Sequence, residues 1–295
     1  MKIGYPCINW SIGCTANTTF RLANYTDQLL LEKSINNIGC LKKILKYNLD
    51  HDIFLFRIGS DFIPFASHEI CNVEWDLMLK EAFIDIGNFI KEHNMRISMH
   101  PDQFVLLNSE KKDVLENSIK ELVYHAKLLD VMDLDETAKI QIHVGGVYDD
   151  KEKSIERFVK NYKKLPERVK ARLIIENDDK SYSLKDCLEI HKKTKVPIIF
   201  DAFHHECLNN EEPLAEAVKL ASKTWKKKDG ILIMDYSSQK MGERKGAHAT
   251  NIDEQLFKKF LEETKGLDFD LMLEIKDKEK SALKAISIAK SMKRL

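Results

Sequence analysis

The 295-residue chain carries no excess of either charge, 47 Lys and Arg standing against 47 Asp and Glu. That balance excludes the strongly basic composition that announces a nucleic-acid binder, though it leaves room for a local basic face. Long apolar runs are also missing. The uncharged stretch from residue 3 to 20 comes nearest, and Pro6, Asn9, Ser11, Thr15, Asn17, Thr18 and Thr19 interrupt it, so neither a membrane span nor a signal peptide is expected. The six cysteines (Cys7, Cys14, Cys40, Cys71, Cys187, Cys207) form no C-x-x-C pair, which argues against a zinc ribbon or a dense disulfide framework and leads us to expect reduced, intracellular thiols. With 6 Pro and 11 Gly there is no Pro/Gly/Ser-rich linker, no low-complexity tract and no G-x-G-x-x-G loop. One domain over residues 1–295 and no organic cofactor are therefore expected.

What is present is an ordinary soluble composition, 43% hydrophobic and 32% charged, long enough for one large core. Eight short apolar runs recur: residues 2–5 (KIGY), 53–58 (IFLFRI), 96–100 (RISMH), 140–144 (IQIHV), 173–176 (LIIE), 196–201 (VPIIFD), 231–235 (ILIMD) and 270–275 (DLMLEI). Between them the period becomes helical. Leu79, Ala82, Phe83, Ile86 and Ile90 share one helix face, and residues 117–132 and 278–292 read the same way. Alternating strands and helices in this number predict a TIM-type (β/α)8 barrel. A doubly wound open sheet is the rival, but it would gather functional residues at one switch point rather than at most strand ends.

In a barrel the active site lies at the C-terminal ends of the strands, so the residue that closes each run is informative. Runs three to eight close on His100, His143, Glu176, Asp201, Asp235 and Glu274. His204 in FDAFHH and His248 in GAHATNID stand just beyond strand ends. Imidazole and carboxylate without thiolate suit manganese, zinc or iron, and several carboxylates suit a multinuclear site. His205 is expected to point elsewhere, as a supporting or exposed residue, and His51, His93, His125 and His191 are expected at the surface.

The segments GYPCINWSIGC, FRIGSDFIPFASH (56–68), RISMHPDQF (96–104), IQIHVGG, LIIENDD, IFDAFHH and LMLEIKDKEKSAL together resemble the UV damage endonuclease family over nearly the whole chain. The resemblance implies a metal-dependent TIM-barrel repair enzyme, related to endonuclease IV and the xylose isomerase-like barrels. Such an enzyme cuts DNA immediately 5′ of cyclobutane pyrimidine dimers, 6-4 photoproducts and some other lesions, leaving a 3′-hydroxyl. It makes His100, His143, Glu176, Asp201, His204, His248 and Glu274 ligands of up to three divalent ions, usually manganese. Asp235 stands where other members have a histidine, and is expected to bind metal through oxygen. Ile233 stands where some have a lysine, whose contribution is absent here or supplied by another group. Tyr5 and His68 correspond to residues near the catalytic centre. Gln103 and Phe104 match a glutamine–tyrosine pair that inserts into the duplex opposite the lesion, with Asn9 supporting the same contact.

The chemistry implied is metal-assisted hydrolysis with no covalent nucleophile. DNA binding draws on uneven charge, with eight basic and three acidic residues over 151–170 and seven basic and two acidic over 276–295, although such runs are commonly solvated helix faces. The expected partner is duplex DNA carrying UV lesions, met by a monomeric, cytoplasmic protein. A sugar isomerase or epimerase is the alternative enzyme, and a non-catalytic metal-binding barrel the alternative of another class.

Overall fold

The computed structural model describes residues 1–295. All eight expected strands form: β1 (Ile3–Pro6), β2 (Leu55–Ile58), β3 (Arg96–Met99), β4 (Lys139–His143), β5 (Leu173–Glu176), β6 (Ile198–Asp201), β7 (Ile233–Tyr236) and β8 (Asp270–Leu273). Each pairs in parallel with the next, and β8 returns to β1, closing the barrel. At least one helix follows each strand, from Asp27–Asp50 after β1 to Glu279–Ser291 after β8. Their apolar faces close over the barrel's outside, as in Lys80–Glu92, which buries Phe83, Ile86 and Ile90. No helix is long and apolar enough to cross a membrane.

Strand alternation decides what fills the barrel. Outward residues such as Phe56, Ile140, Ile142 and Phe200 join the large core between strands and helices. Inward residues form layers. At the bottom, Arg96 pairs with Asp270 at 2.9 Å and Lys139 with Asp229 at 2.5 Å. Above them Leu55, Ile174, Ile199, Ile233 and Met272 make a separate apolar layer. One inward step further on the same strands come Arg57, Glu176, Asp201, Asp235 and Glu274. The functional cluster thus stands on an apolar floor. Gly4 belongs to the inner wall because a Cβ there would lie 1.8 Å from the Leu55 carbonyl oxygen.

Two expectations are corrected. Cys14 and Cys40 form a disulfide with Cα atoms 6.0 Å apart, tying the loop after β1 to the helix Asp27–Asp50. The other four cysteines are free. A spacing of 26 residues carries no pairing signal, and only folding brings the two within bridging distance. His125 is fully buried rather than superficial, accommodated in the core by the helix Lys112–Val131 with its Nδ1 donating to the Glu121 carbonyl at 2.8 Å. Burial keeps it neutral, pushing its pKa down to about 4. His205 is likewise buried, with Nε2 on the Glu212 carbonyl at 3.1 Å.

Candidate metal centre

Eight side chains singled out at strand ends meet at the C-terminal mouth. His143, Glu176 and Asp201 are the last residues of β4, β5 and β6, His100 and Glu274 directly follow β3 and β8, and Asp235 lies one residue inside the end of β7. His204 arrives through local chain geometry. Asp201 Oδ1 accepts the His204 backbone N–H at 2.7 Å, capping the short helix Ala202–Cys207, so the three-residue spacing turns both side chains into the mouth. His248 reaches in from the loop after β7 and is held by the Glu274 carbonyl at 2.8 Å.

Glu176, almost wholly buried, sits at the middle. Its Oε2 lies 3.5 Å from His100 Nε2 and 3.7 Å from His143 Nε2, while Oε1 lies 3.0 Å from His204 Nδ1. The imidazoles form an arc, with ring centroids of successive members His100, His143, His204 and His248 spaced 5.3, 6.0 and 5.7 Å. Three groups have donor atoms within 4.8 Å of one another: His100, His143 and Glu176; Glu176, Asp201 and His204; and Asp201, Asp235 and Glu274. Glu176 belongs to the first two, so its carboxylate could serve either.

The donor set fits divalent cations. Asp201 Oδ2 and His143 Nδ1 are buried without any hydrogen-bond partner, an arrangement that costs about 1–3 kcal/mol per group unless something else satisfies it. His100, His204 and His248 each place Nδ1 on a backbone carbonyl, of Pro101, Asn177 and Glu274, at 2.7, 3.0 and 2.8 Å. A carbonyl can only accept, so Nδ1 carries a proton and the neutral imidazole has its lone pair on Nε2, the support usual behind metal-binding histidines. At His204 burial is outweighed by the Asp201 and Glu176 carboxylates, which push the pKa up to about 11, so a cation there would displace the second proton.

The charges carry the same requirement. Burial would raise the Glu176 carboxyl, but the imidazoles of His143, His100 and His204 outweigh it and hold the group well below the carboxylate range. Burial likewise opposes ionisation of Glu274, yet Arg57 above all brings it down to about 2. Asp201 moves the other way, to about 6, because burial and the neighbouring Glu176 and Glu274 charges exceed the pull of His204. A bound cation would displace that proton.

Sequence reasoning missed a buried polar layer directly beneath the mouth. Arg57 Nη2 donates to both oxygens of Asp235, at 2.8 and 2.9 Å, and Nη1 donates to Glu274 Oε1. Arg57 Nη2 also donates to Gln141 Oε1 at 2.7 Å, and Gln141 Nε2 donates to Glu176 Oε2 at 2.5 Å and Asp235 Oδ2 at 2.6 Å. The available signal was an Arg inside IFLFRI and a Gln inside IQIH, polar residues at inward positions of otherwise apolar strands. Ile233 lies in the apolar floor, two residues below Asp235. Asn177 locks β5 to β6, donating to the Asp201 carbonyl at 2.9 Å and accepting its N–H at 3.0 Å.

The remaining expected site residues lie around the rim. Tyr5 is fully buried; its hydroxyl donates to Asn48 Oδ1 at 2.6 Å and accepts from Asn9 Nδ2 at 2.7 Å. Asn9 is buried as well, and its Oδ1 receives the Ser11 N–H at 2.8 Å. The outward side chain of that loop is Trp10, 59% exposed, with its indole N–H on the Lys276 carbonyl. Gln103 and Phe104 both project from the loop after β3, Phe104 being 62% exposed. His68 is exposed and shares with Phe104, Asp102, Asp61 and Glu121 the lining of a cavity of about 500 Å³ beside the mouth.

The family pattern described as UV-endonuclease UvdE matches residues 1–294. The chain belongs to this family. A relative from Clostridium perfringens (strain 13 / Type A), named UV DNA damage endonuclease, is 42% identical over 294 residues, covering 99% of this chain and 71% of the relative. One of the same name from Bacillus cereus (strain Q1) is 39% identical over 259 residues, covering 87% and 82%. The crystal structure of SacUVDE superposes with a TM-score of 0.96 at 48% identity, covering both chains fully. Endonuclease IV from Thermus thermophilus aligns over all of both chains at a TM-score of 0.61 and 12% identity, and D-psicose 3-epimerase from Clostridium cellulolyticum over 99% of both at 0.59 and 14%. These two share the barrel and say nothing further, since epimerases and nucleases use the same architecture.

In this UvdE family member the cavity beside the mouth holds a strained carboxyl. Burial, with the Asp102 and Asp61 charges adding and the Ser67 hydroxyl opposing, pushes Glu121 up to about 7 from an ordinary 4.5. The folded state therefore binds the extra proton between those pH values, and its stability falls as pH rises through that window. Glu121→Gln should remove this loss and stabilise the protein by about 1–3 kcal/mol at pH 8 while changing little at pH 4.5. Urea unfolding of both proteins at the two pH values checks it; equal pH dependence in the two would refute it.

Proposed function

We propose that this chain is a DNA repair endonuclease, one catalytic domain over residues 1–295, that nicks the phosphodiester bond immediately 5′ of cyclobutane pyrimidine dimers and 6-4 photoproducts. The observation that carries the reading is Glu176, whose two oxygens face separate histidine groups amid orphaned buried donors, in a chain matched to the UvdE family over its length. In this reading His100, His143, Glu176, Asp201, His204, His248 and Glu274 hold divalent ions, manganese being the best match to a set of imidazoles and carboxylates without thiolate. When bound, such ions would polarise the scissile phosphodiester and bring the pKa of a water toward neutrality.

The chain's own residues supply the rest. The carbonyls of Pro101, Asn177 and Glu274 fix the imidazole planes, and Asn177 holds Asp201 in register with Glu176. Tyr5 acts through Asn9 and Asn48, holding the loop after β1 rather than facing the reacting atoms. His68 would meet the DNA strand from the adjoining cavity. Gln103 and Phe104 act as a wedge, Phe104 offering a flat apolar face to the gap left when damaged nucleotides leave the stack. Displacement costs least where stacking is already weakened, which lets one wedge serve several lesions. The protein is proposed to act as a monomer inside the cell.

Irradiated and unirradiated supercoiled plasmid, incubated with the metal-stripped protein with and without manganese, tests this. Nicking is expected only for irradiated plasmid with metal. An end-labelled duplex with one dimer should yield a cut on its 5′ side with a 3′-hydroxyl. Equal nicking of both plasmids, or none with manganese, would overturn the reading.

A further inference from the structure

We propose that Arg57 is a fixed cation built into the metal centre, taking the place that the Asp235 carboxylate would otherwise give to a third ion, so that the centre holds two divalent ions. The inference rests on the metal-dependent reading above and deepens it. Of the three groups of donor atoms, the one formed by Asp201, Asp235 and Glu274 differs from the other two: it has no histidine, and two of its three carboxylates are already engaged by one guanidinium. Both Asp235 oxygens face Arg57 Nη2, and Oδ2 also receives Gln141 Nε2 at 2.6 Å. An ion held by those oxygens would have to displace a buried guanidinium that no solvent is waiting to receive, since Arg57 is 3% exposed and Asp235 wholly buried.

The other two groups contain no arginine or lysine contact; Glu176 Oε2 accepts only the neutral Gln141 amide, at 2.5 Å. They include Asp201 Oδ2 and His143 Nδ1, which have no hydrogen-bond partner, and the Nε2 atoms of His100 and His143 face Glu176 Oε2 at 3.5 and 3.7 Å. Gln141 links the two halves. Its amide joins the Arg57–Asp235 pair to Glu176, so the guanidinium and its partners also set the angle at which Glu176 presents its oxygens. Arg57 lies under the centre, out of reach of substrate, and is a positioning residue. It supplies one positive charge that persists when metals leave, because its pKa stays far above any working pH.

Metal counting separates the outcomes without reference to activity. The full-length protein, stripped with chelator, is titrated with manganese(II) chloride by calorimetry, and bound metal is counted by mass spectrometry after desalting. Two equivalents per chain are expected for the wild type and for Arg57→Lys. Arg57→Met should take up a third, which Arg57→Met combined with Asp235→Asn should lose again. Should Arg57→Met fail to fold, Asp235→Asn alone decides: its count should stay at two, and a fall by one equivalent would assign Asp235 to an ion and overturn the proposal. Three equivalents in the wild type, unchanged in Arg57→Met, would overturn it too while leaving the nuclease reading intact. No bound manganese at all would remove both.

Discussion

Glu176→Gln should abolish strand cleavage, lowering the rate by at least about 10³-fold, because it alters the one group shared by the two histidine-containing sets of candidate ligands. An amide keeps the volume and one acceptor but places an NH2 where a second oxygen faces histidine. Manganese content should fall from its wild-type value by at least one equivalent. Folding should survive, since the apolar floor under Glu176, including Ile174 on the same strand, is untouched, and the substitution relieves a buried carboxylate. The three readouts are single-turnover cleavage of a dimer-containing duplex, metal content and the unfolding midpoint. Full activity with metal content unchanged would remove Glu176 from the centre; loss of activity through loss of folding would show as a shifted midpoint and sink the argument from the floor.

The second large effect concerns discrimination rather than chemistry. Phe104→Ala and Gln103→Ala should each weaken preference for damaged over undamaged duplex, Phe104→Ala by about 5- to 150-fold, the worth of one aromatic stack at about 1–3 kcal/mol. Stability should move by less than about 0.5 kcal/mol, as for exposed loop positions generally. Phe104 is 62% exposed and therefore is not the local core residue that an apolar side chain in HPDQF would suggest by default. Metal content should not change, because the side chain that the loop sends to the centre is His100. Competition binding with matched damaged and undamaged duplexes measures the ratio, and an unchanged ratio in both variants would dismiss the wedge.

Much of this protein is legible in one dimension because a barrel is built from local repeats. Each strand is four or five residues long with alternating faces, so eight apolar runs and their closing residues could be counted directly, and all eight form within a few residues of the expected bounds. The ligand candidates were readable for the same reason: the C-terminal end of every parallel strand points to one mouth, so a His or carboxylate there has only one place to go. His204 was readable through its spacing from Asp201, which a helix cap converts into proximity.

What the linear order could not express are contacts between residues far apart whose meaning depends on which partner is near. Asp235 reads as a strand-end carboxylate like its neighbours, and only closure of β7 and β2 across the barrel sets it against Arg57, 178 positions away. Cys14 and Cys40, Tyr5 with Asn48, and the burial of His125 are of the same kind. The sequence alone determined the alternation, the barrel and the chemistry gathered at its mouth, because these follow from side-chain periodicity along single strands. The tertiary structure alone decided which buried charges neutralise one another and which have no counter-charge in the chain, because in a low-dielectric interior that depends on distances across the barrel and not on order along the chain.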